Sequence, residues 1–205
     1  MDPRSMFCLA GCVVRIAQRM GLSTDGTNYA IPPFEVEMRR RLWWQIVLID
    51  IRVAELSGAG PAMLSYTWST KLPSNINDSD LFPDMREPPI ERPGITEMIF
   101  VRVRCEGVQL IQQNRARTGN YVLKDDAIED LEQRVEREYL QHCDPLIPLH
   151  MMALTAGRTA LCKLKISFRR PLFSLSEKNW SDEEKDTLFK LSYVMYCYEA
   201  DGQNC

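Results

Sequence analysis

The apolar positions of this chain recur at helical spacing from its first residues. Met6, Leu9, Val13, Ile16 and Met20 stand 3, 4, 3 and 4 apart. They form one face of a 3.6-residue repeat, and Gly21 sits where such a helix stops. A loop rich in Ser, Thr, Gly and Asn follows. Pro32 and Pro33 mark the start of the next element, because proline inside a helix removes a hydrogen bond. That element has the strongest pattern in the chain. From Met38, the positions Leu42, Ile46, Ile49, Val53 and Leu56 keep a 4, 4, 3, 4, 3 rhythm. Trp43, Trp44, Val47, Leu48 and Ile51 widen the stripe until most of the surface is apolar. A helix apolar nearly all round is expected to be central and packed from several sides. Ser57-Gly58 and Gly60-Pro61 are expected to end it.

The character changes over 61–94, where Pro61, Pro73, Pro83, Pro88, Pro89 and Pro93 separate acidic and small polar residues. This reads as a long loop, a length uncommon without a purpose. Trp68, Leu72, Ile76, Leu81 and Phe82 are expected to anchor it across a helical body. Further helices follow. Met98, Val101, Cys105 and Val108 mark one, and Ile128, Leu131, Val135 and Tyr139 another. Pro145 and Pro148 begin a third, with Leu149, Met152, Ala156, Ala160 and Leu164 on one face. Ser181 with Glu184 has the form of a capping box, ahead of a stripe of Leu188, Leu191, Met195 and Tyr198. No segment alternates with a two-residue period, and no internal repeat is present. The expected fold is all-α, an irregular multi-helix bundle with a long Pro-rich loop between its second and third helices. It is expected to form a single helical domain over 1–205.

Composition agrees. At 205 residues, with 45% hydrophobic and 26% charged, the chain has the balance of a soluble globular domain. A net charge of −3 argues against broad attraction to nucleic acid or an anionic membrane. The opening residues are not a signal peptide, since Arg15 breaks the apolar stretch. The run Leu42 to Ile51 contains Gln45 and Asp50 and is far short of the roughly 20 residues that span a bilayer. Seven scattered cysteines suit a reducing compartment better than a disulfide framework.

Candidate chemistry is sparse. Cys8 and Cys12 lie four apart and the other cysteines are isolated, so the paired ligands of a structural zinc site are missing. The histidines are His142 and His150, and no local signature makes a nucleophile of Cys143 or Cys162 beside either. Asp78, Asp80 and Asp84 lack the glycine and terminal glutamate of a calcium loop. Arg39-Arg40-Arg41 invites a nucleic-acid reading. Yet Glu35 with Arg39 and Glu37 with Arg41 have i,i+4 spacing, and three consecutive arginines fan around a helix. Structural ion pairing is the favoured reading.

The order of residues around this helix is more specific. The string PFEVEMRRRLWWQIVLIDIRVAELSGAGP, Pro33 to Pro61, resembles the central homology region of fungal zinc-cluster transcription factors. In that family a Pro-Phe-Glu start leads into an arginine-rich, double-tryptophan helix followed by Asp-x-Arg. The matching positions here are Phe34, Glu35, Glu37, Arg39, Arg40, Arg41, Leu42, Trp43, Trp44, Asp50 and Arg52. Upstream, VVRIAQRMGLSTDG resembles the preceding helix and turn. Downstream, TWSTKLPSNINDSDL resembles the family's loop, TEMIFVRVRCE its next helix, and GRTALCKLKISFRRPL a later one. One departure is Ser23-Thr24-Asp25, where the family commonly has His-Arg-Asp, a turn expected to have lost a basic contact.

The resemblance implies a nuclear regulatory module of a transcription factor for RNA polymerase II genes, one that serves a metabolic gene cluster. It supplies no catalytic residues and no cofactor, and the family's zinc cluster is absent from this chain. The resemblance begins almost at Met1, so an N-terminally truncated regulatory domain is expected. DNA would be reached only through a missing N-terminal zinc cluster, which is what places a recognition helix. The partners implied are proteins (a second copy, a full-length regulator or the transcription machinery), an effector small molecule, and no membrane. Two other classes stay open. One is a stand-alone interaction protein or decoy that pairs with a full-length regulator. The other is a small helical enzyme using Cys143 or Cys162.

Overall fold

The structure, a computed structural model, describes residues 2–58, 67–118, 123–169 and 181–203. Every regular element among them is helical. The elements are α1 (Pro3–Arg19), α2 (Pro33–Ser57), α3 (Ile99–Thr118), α4 (Asp125–Glu138), α5 (Pro148–Arg169) and α6 (Asp182–Gln203). Three single 3-10 turns stand between them, at Gly26–Asn28, Asp78–Asp80 and Leu140–His142. The all-α expectation holds. The chain that the sequence treats as one domain groups into two compact units, Met1–Arg92 and Pro93–Cys205. Among the described residues no helix is long and apolar enough to cross a membrane.

In the first unit α1 packs on α2. The side chain of Asp2 caps α1 by accepting from the Ser5 N–H at 3.2 Å, and Pro3 fills the first helical position, where its missing N–H costs nothing. At the other end the Leu22 N–H reaches the Ala17 carbonyl and the Gly21 N–H that of Gln18. Gly21 takes φ +72° to allow this paired closure, and Leu22 is then buried. Gly58 ends α2 the same way, at φ 69°, with its N–H on the Ala54 carbonyl. The further stop at Gly60-Pro61 and the first residues of the 61–94 loop lie outside the described residues. From 67 to 98 the chain runs without helix apart from the turn Asp78–Asp80. Trp68 and Ile76 are buried as expected of anchors, Leu72 and Leu81 are half-buried, and Phe82 is exposed.

The stripe read on α1 is the wrong one, and the stripe read on α2 is buried in part. On α1 the buried residues are Ala10, Val14 and Ala17, while Leu9, Val13, Ile16 and Met20 face solvent. On α2 the stripe residues Ile46 and Val53 are buried together with Val36, Trp43, Trp44, Val47, Leu48 and Ala54, while Leu42, Ile49 and Leu56 are exposed. The small residues of α1 permit a close approach, so the packed seam lies about 100° around the helix from the bulky one.

The second unit has a core of Ile99, Val103, Leu131, Val135, Tyr139, Leu140, Ala153, Leu154 and Leu161. The α4 stripe, Ile128 to Tyr139, is buried as read. On α5 the buried face is Ala153, Leu154, Gly157 and Leu161, with Leu149 and Met152 exposed. Again small residues form the seam. The residues 170–172 at the end of GRTALCKLKISFRRPL lie outside the described residues. Before α6 the Ser181 N–H donates to Glu184 Oε2 at 2.9 Å and the Glu184 N–H to Ser181 Oγ at 3.1 Å, completing the capping box. Leu188, Leu191, Met195 and Tyr198 are half-buried together along α6, the helix that packs on α5.

The α5 seam is testable at its glycine. A Cβ on Gly157 would stand 2.9 Å from Val103 Cγ1 and 3.4 Å from Leu140 Cδ2. Val103 is branched at Cβ and cannot swing aside. Gly157→Ala should therefore lower stability by about 1 kcal/mol, because overpacking outweighs the gain in helix propensity. Gly107→Ala on α3, where nothing lies within 4 Å, should instead raise it by up to ~1 kcal/mol. Thermal unfolding of the two variants beside the parent chain should move in opposite directions.

Candidate functional site

The singled-out residues of α2 converge on the loop after α1 and on the segment 69–78. The helix phase explains the start of this. Residues 39, 40 and 41 step by about 100° each, so the three arginines leave the helix in three directions. Arg39 donates from Nη2 to the Met20 carbonyl at 2.8 Å, at the C-terminal end of α1. A cation there satisfies a free carbonyl and meets the negative end of the helix dipole. Its i,i+4 partner Glu35 is 3.9 Å away and half exposed.

Arg40 makes the central contact. Its Nε and Nη2 donate to the two carboxylate oxygens of Asp25 at 2.8 and 2.9 Å, a forked arrangement that fixes both planes. Asp25 also accepts from the Thr27 N–H at 3.1 Å, the Thr27 hydroxyl at 2.6 Å and the Lys71 N–H at 2.9 Å. Asp25 is 2% exposed. Burial pushes its carboxyl upward, but the donors from Arg40, Thr27 and Lys71 outweigh burial and hold it well below the ordinary carboxylate range.

Arg41 bridges inside to outside. It donates to Glu37 at 3.3 Å and to the exposed Asp78 at 2.6 Å. Glu37, 1% exposed, accepts the Ser74 N–H at 3.1 Å. Burial raises its carboxyl above the usual value, and the donors from Ser74 and Arg41 offset that only in part. Trp44 completes the set, with Nε1 donating to the Lys71 carbonyl at 2.8 Å. Trp43 and Trp44 both meet the Trp68 ring edge-on, with centroids 6.0 and 6.1 Å apart. Segment 69–74 is thus held on α2 by two carboxylates, a tryptophan N–H and an aromatic trio. The Ser69 N–H to Ser23 carbonyl bond and the Thr70 hydroxyl to Leu22 carbonyl bond add to this.

The remaining residues of the motif fall elsewhere. Phe34 is half-buried at the start of α2, Leu42 is exposed, and Asp50 is buried on the inner face. Arg52 is exposed and pairs with Glu55 at 3.0 Å. Asp25 is the residue that sequence reading missed. It stands in the Ser23-Thr24-Asp25 turn, where a lost basic contact was expected, yet this turn supplies the acceptor for Arg40. The second unit has a comparable buried charge. Glu106 accepts from the Tyr139 hydroxyl at 3.1 Å and from Arg134 at 2.9 Å, with Arg102 donating to Tyr139 at 3.0 Å.

The thiols run against nucleophilic use. Burial pushes Cys143 and Cys162 above their ordinary values and Cys105 up to about 12, whereas an attacking cysteine needs the opposite shift. His150 accepts the Asp144 N–H on its Nδ1 at 3.1 Å. Among the described residues no group of three or more His, Cys, Asp and Glu could hold a metal ion. Cys8 and Cys12 are exposed on α1 while Cys105 and Cys162 are buried, so these cysteines do not fit the family's zinc cluster.

The Asp25–Arg40 pair should dominate the stability of the first unit. Asp25→Ala leaves Arg40 and the Lys71 N–H without their acceptor, a loss of about 3 kcal/mol read by denaturant unfolding. The two acids also set opposite pH trends. Asp25, depressed, contributes stability above about pH 3.9 that is lost as pH falls through its folded value. Glu37, raised, contributes stability below about pH 4.3 that is lost as pH rises through its folded value. Unfolding from pH 7 downward should therefore show a gain before the acid loss, and Glu37→Gln should abolish the gain alone.

Comparison with known proteins places this arrangement. The family described as fungal specific transcription factor domain matches residues 2–108, more than half of the chain. The aurofusarin cluster transcription factor aurR2 of Gibberella zeae is 35% identical over 97% of the chain, which spans 31% of that protein. The transcriptional regulator AacuB of Aspergillus aculeatus is 35% identical over 80% of the chain, spanning 24% of that protein. The pyriculol/pyriculariol biosynthesis cluster transcription factor 1 of Pyricularia oryzae is 39% identical over 68% of the chain, spanning 19% of that protein. The chain thus spans a third or less of the length of these relatives. No solved structure matches it. The matched residues take in α1, α2 and the whole arginine–tryptophan clamp, and the chain belongs to the fungal specific transcription factor domain family.

Proposed function

We propose that this chain acts as the regulatory module of a fungal zinc-cluster transcription factor that controls RNA polymerase II genes of a metabolic gene cluster. The observation that carries the reading is family membership over α1 and α2, joined to relatives named as cluster transcription factors. The geometry supports it in a specific way. All three arginines of the motif are used inside the fold, on the α1 carboxyl end, on Asp25, and on Glu37 with Asp78. None of them is presented as a stripe to a DNA groove, so the role of the motif is to hold a folded module together. DNA contact belongs to a zinc cluster elsewhere in the regulator, its place of action is the nucleus, and its partners are proteins.

A regulatory module changes output by changing which of its states is populated. The clamp is the element through which such a change would be transmitted, because segment 69–78 is fastened to α2 by the contacts of Glu37 with Ser74, Arg41 with Asp78 and Trp44 with Lys71. The test is made in the producing fungus. Arg40→Ala in the chromosomal gene should lower the transcripts of the contiguous biosynthetic genes together, read by RNA sequencing against Arg15→Ala, whose residue is exposed on α1 and outside the clamp. Unchanged transcripts in the Arg40→Ala strain, with the protein present at parental level, would sink the proposal.

A further inference from the structure

α1 carries its bulky apolar row on a shoulder that its own unit leaves open. Ala10, Val14 and Ala17 form the buried side of the helix, whereas Leu9 is 53%, Val13 45%, Ile16 60% and Met20 56% exposed. At about 100° per residue the crest opposite the buried side is Cys8, Cys12 and Arg19, so the row runs beside the crest rather than along it. Its members stand 4, 3 and 4 apart, the spacing by which one helix lies against another. From Leu9 to Met20 the row is about 17 Å long, or about three turns of a facing helix.

Charge on this helix is one-sided. Between Pro3 and Arg19 stand Arg4, Arg15 and Arg19 and no carboxylate, and Asp2 ahead of them is engaged on the Ser5 N–H. Each arginine of α2 has a carboxylate partner, whereas those of α1 make no ion pair among the described residues. Arg19 borders Ile16 and Met20, and Arg39 joins it there by donating to the Met20 carbonyl at 2.8 Å. The pair of Arg39 with Glu35 is long, at 3.9 Å. The carboxyl end of the row is thus cationic. Arg4 and Arg15 point away from the row and add only to the field around it.

We propose that this shoulder of α1 docks an acidic amphipathic helix of a separate protein. The partner presents an apolar row of about three turns to Leu9, Val13, Ile16 and Met20, and carboxylates to Arg19 and Arg39. Such a helix binds through anchors at i, i+3, i+4 and i+7, and its acids supply the counter-charge that α1 lacks. A second copy of this face brings arginines and no acid. A bilayer, being flat, meets the polar crest before the row. The proposal goes beyond the regulatory reading and does not depend on it.

Fluorescence anisotropy of the full chain with a labelled helical peptide tests the docking. The probe has leucine at the i, i+3, i+4 and i+7 positions and glutamate along both polar edges. One twin carries lysine in place of glutamate, and another serine in place of leucine. The glutamate probe should bind at least ~10-fold more tightly than either twin, and added salt should weaken it. Ile16→Ser should weaken it about tenfold, the worth of one isoleucine buried on binding. Ile16 is exposed in the free chain, so circular dichroism should show unchanged helix content. Arg19→Glu should weaken the glutamate probe and strengthen the lysine twin, a reversal that misfolding cannot produce. No saturable binding of the glutamate probe, equal binding of the lysine twin, or an Arg19→Glu chain with the parental choice between them would each overturn the proposal. So would tighter binding to phosphatidylcholine–phosphatidylserine vesicles than to the probe, or a sedimenting dimer that Ile16→Ser dissociates.

Discussion

An irregular stretch of chain next to a helix must find partners for its backbone groups, and here two buried carboxylates supply them. The segment after Trp68 has neither a helix nor a sheet to absorb its N–H groups, and a buried, unpaired N–H carries a large penalty. Asp25 takes the N–H of Lys71 and Glu37 takes that of Ser74, while Trp44 donates to the Lys71 carbonyl. Burying the two acids is tolerable only because Arg40 and Arg41 reach them from one turn of α2. The arginine run is therefore the counter-charge that lets acids act as backbone acceptors, and the tryptophans seal the same contact from water.

Helix packing in both units follows a different constraint. Where two helices approach closely, the residues between them are small, as with Ala10 and Ala17 on α1 or Ala153 and Gly157 on α5. Some large aliphatic residues on the neighbouring faces stay outside, among them Leu9, Ile16, Met152 and Ile49. Outward-facing apolar stripes on a regulatory module are where it would meet other protein.

α2 differs between its two sides. The inner side of α2, through Trp43, Trp44, Arg40 and Glu37, organises its own unit. The outer side carries Leu42, Ile49 and Leu56, which are exposed.

Much of this was legible without coordinates. The helices, their stops at Gly21 and Gly58, the capping box at Ser181 and Glu184, and the pairs Glu35 with Arg39 and Glu37 with Arg41 all follow from local rules, because each depends on residues within one or two turns. The kinship of α2 was equally readable, since it rests on the order of residues. What the sequence could not decide was which face of α1, and how much of the stripes of α2 and α5, is buried. Hydrophobicity ranks a face by its bulk, whereas close packing selects it by fit, and fit depends on a neighbour far along the chain. The role of Asp25 was hidden for the same reason. Its partners Arg40 and Lys71 are brought to it by the turn of α1 into α2 and by the return of the loop, and only the tertiary structure sets those three residues side by side.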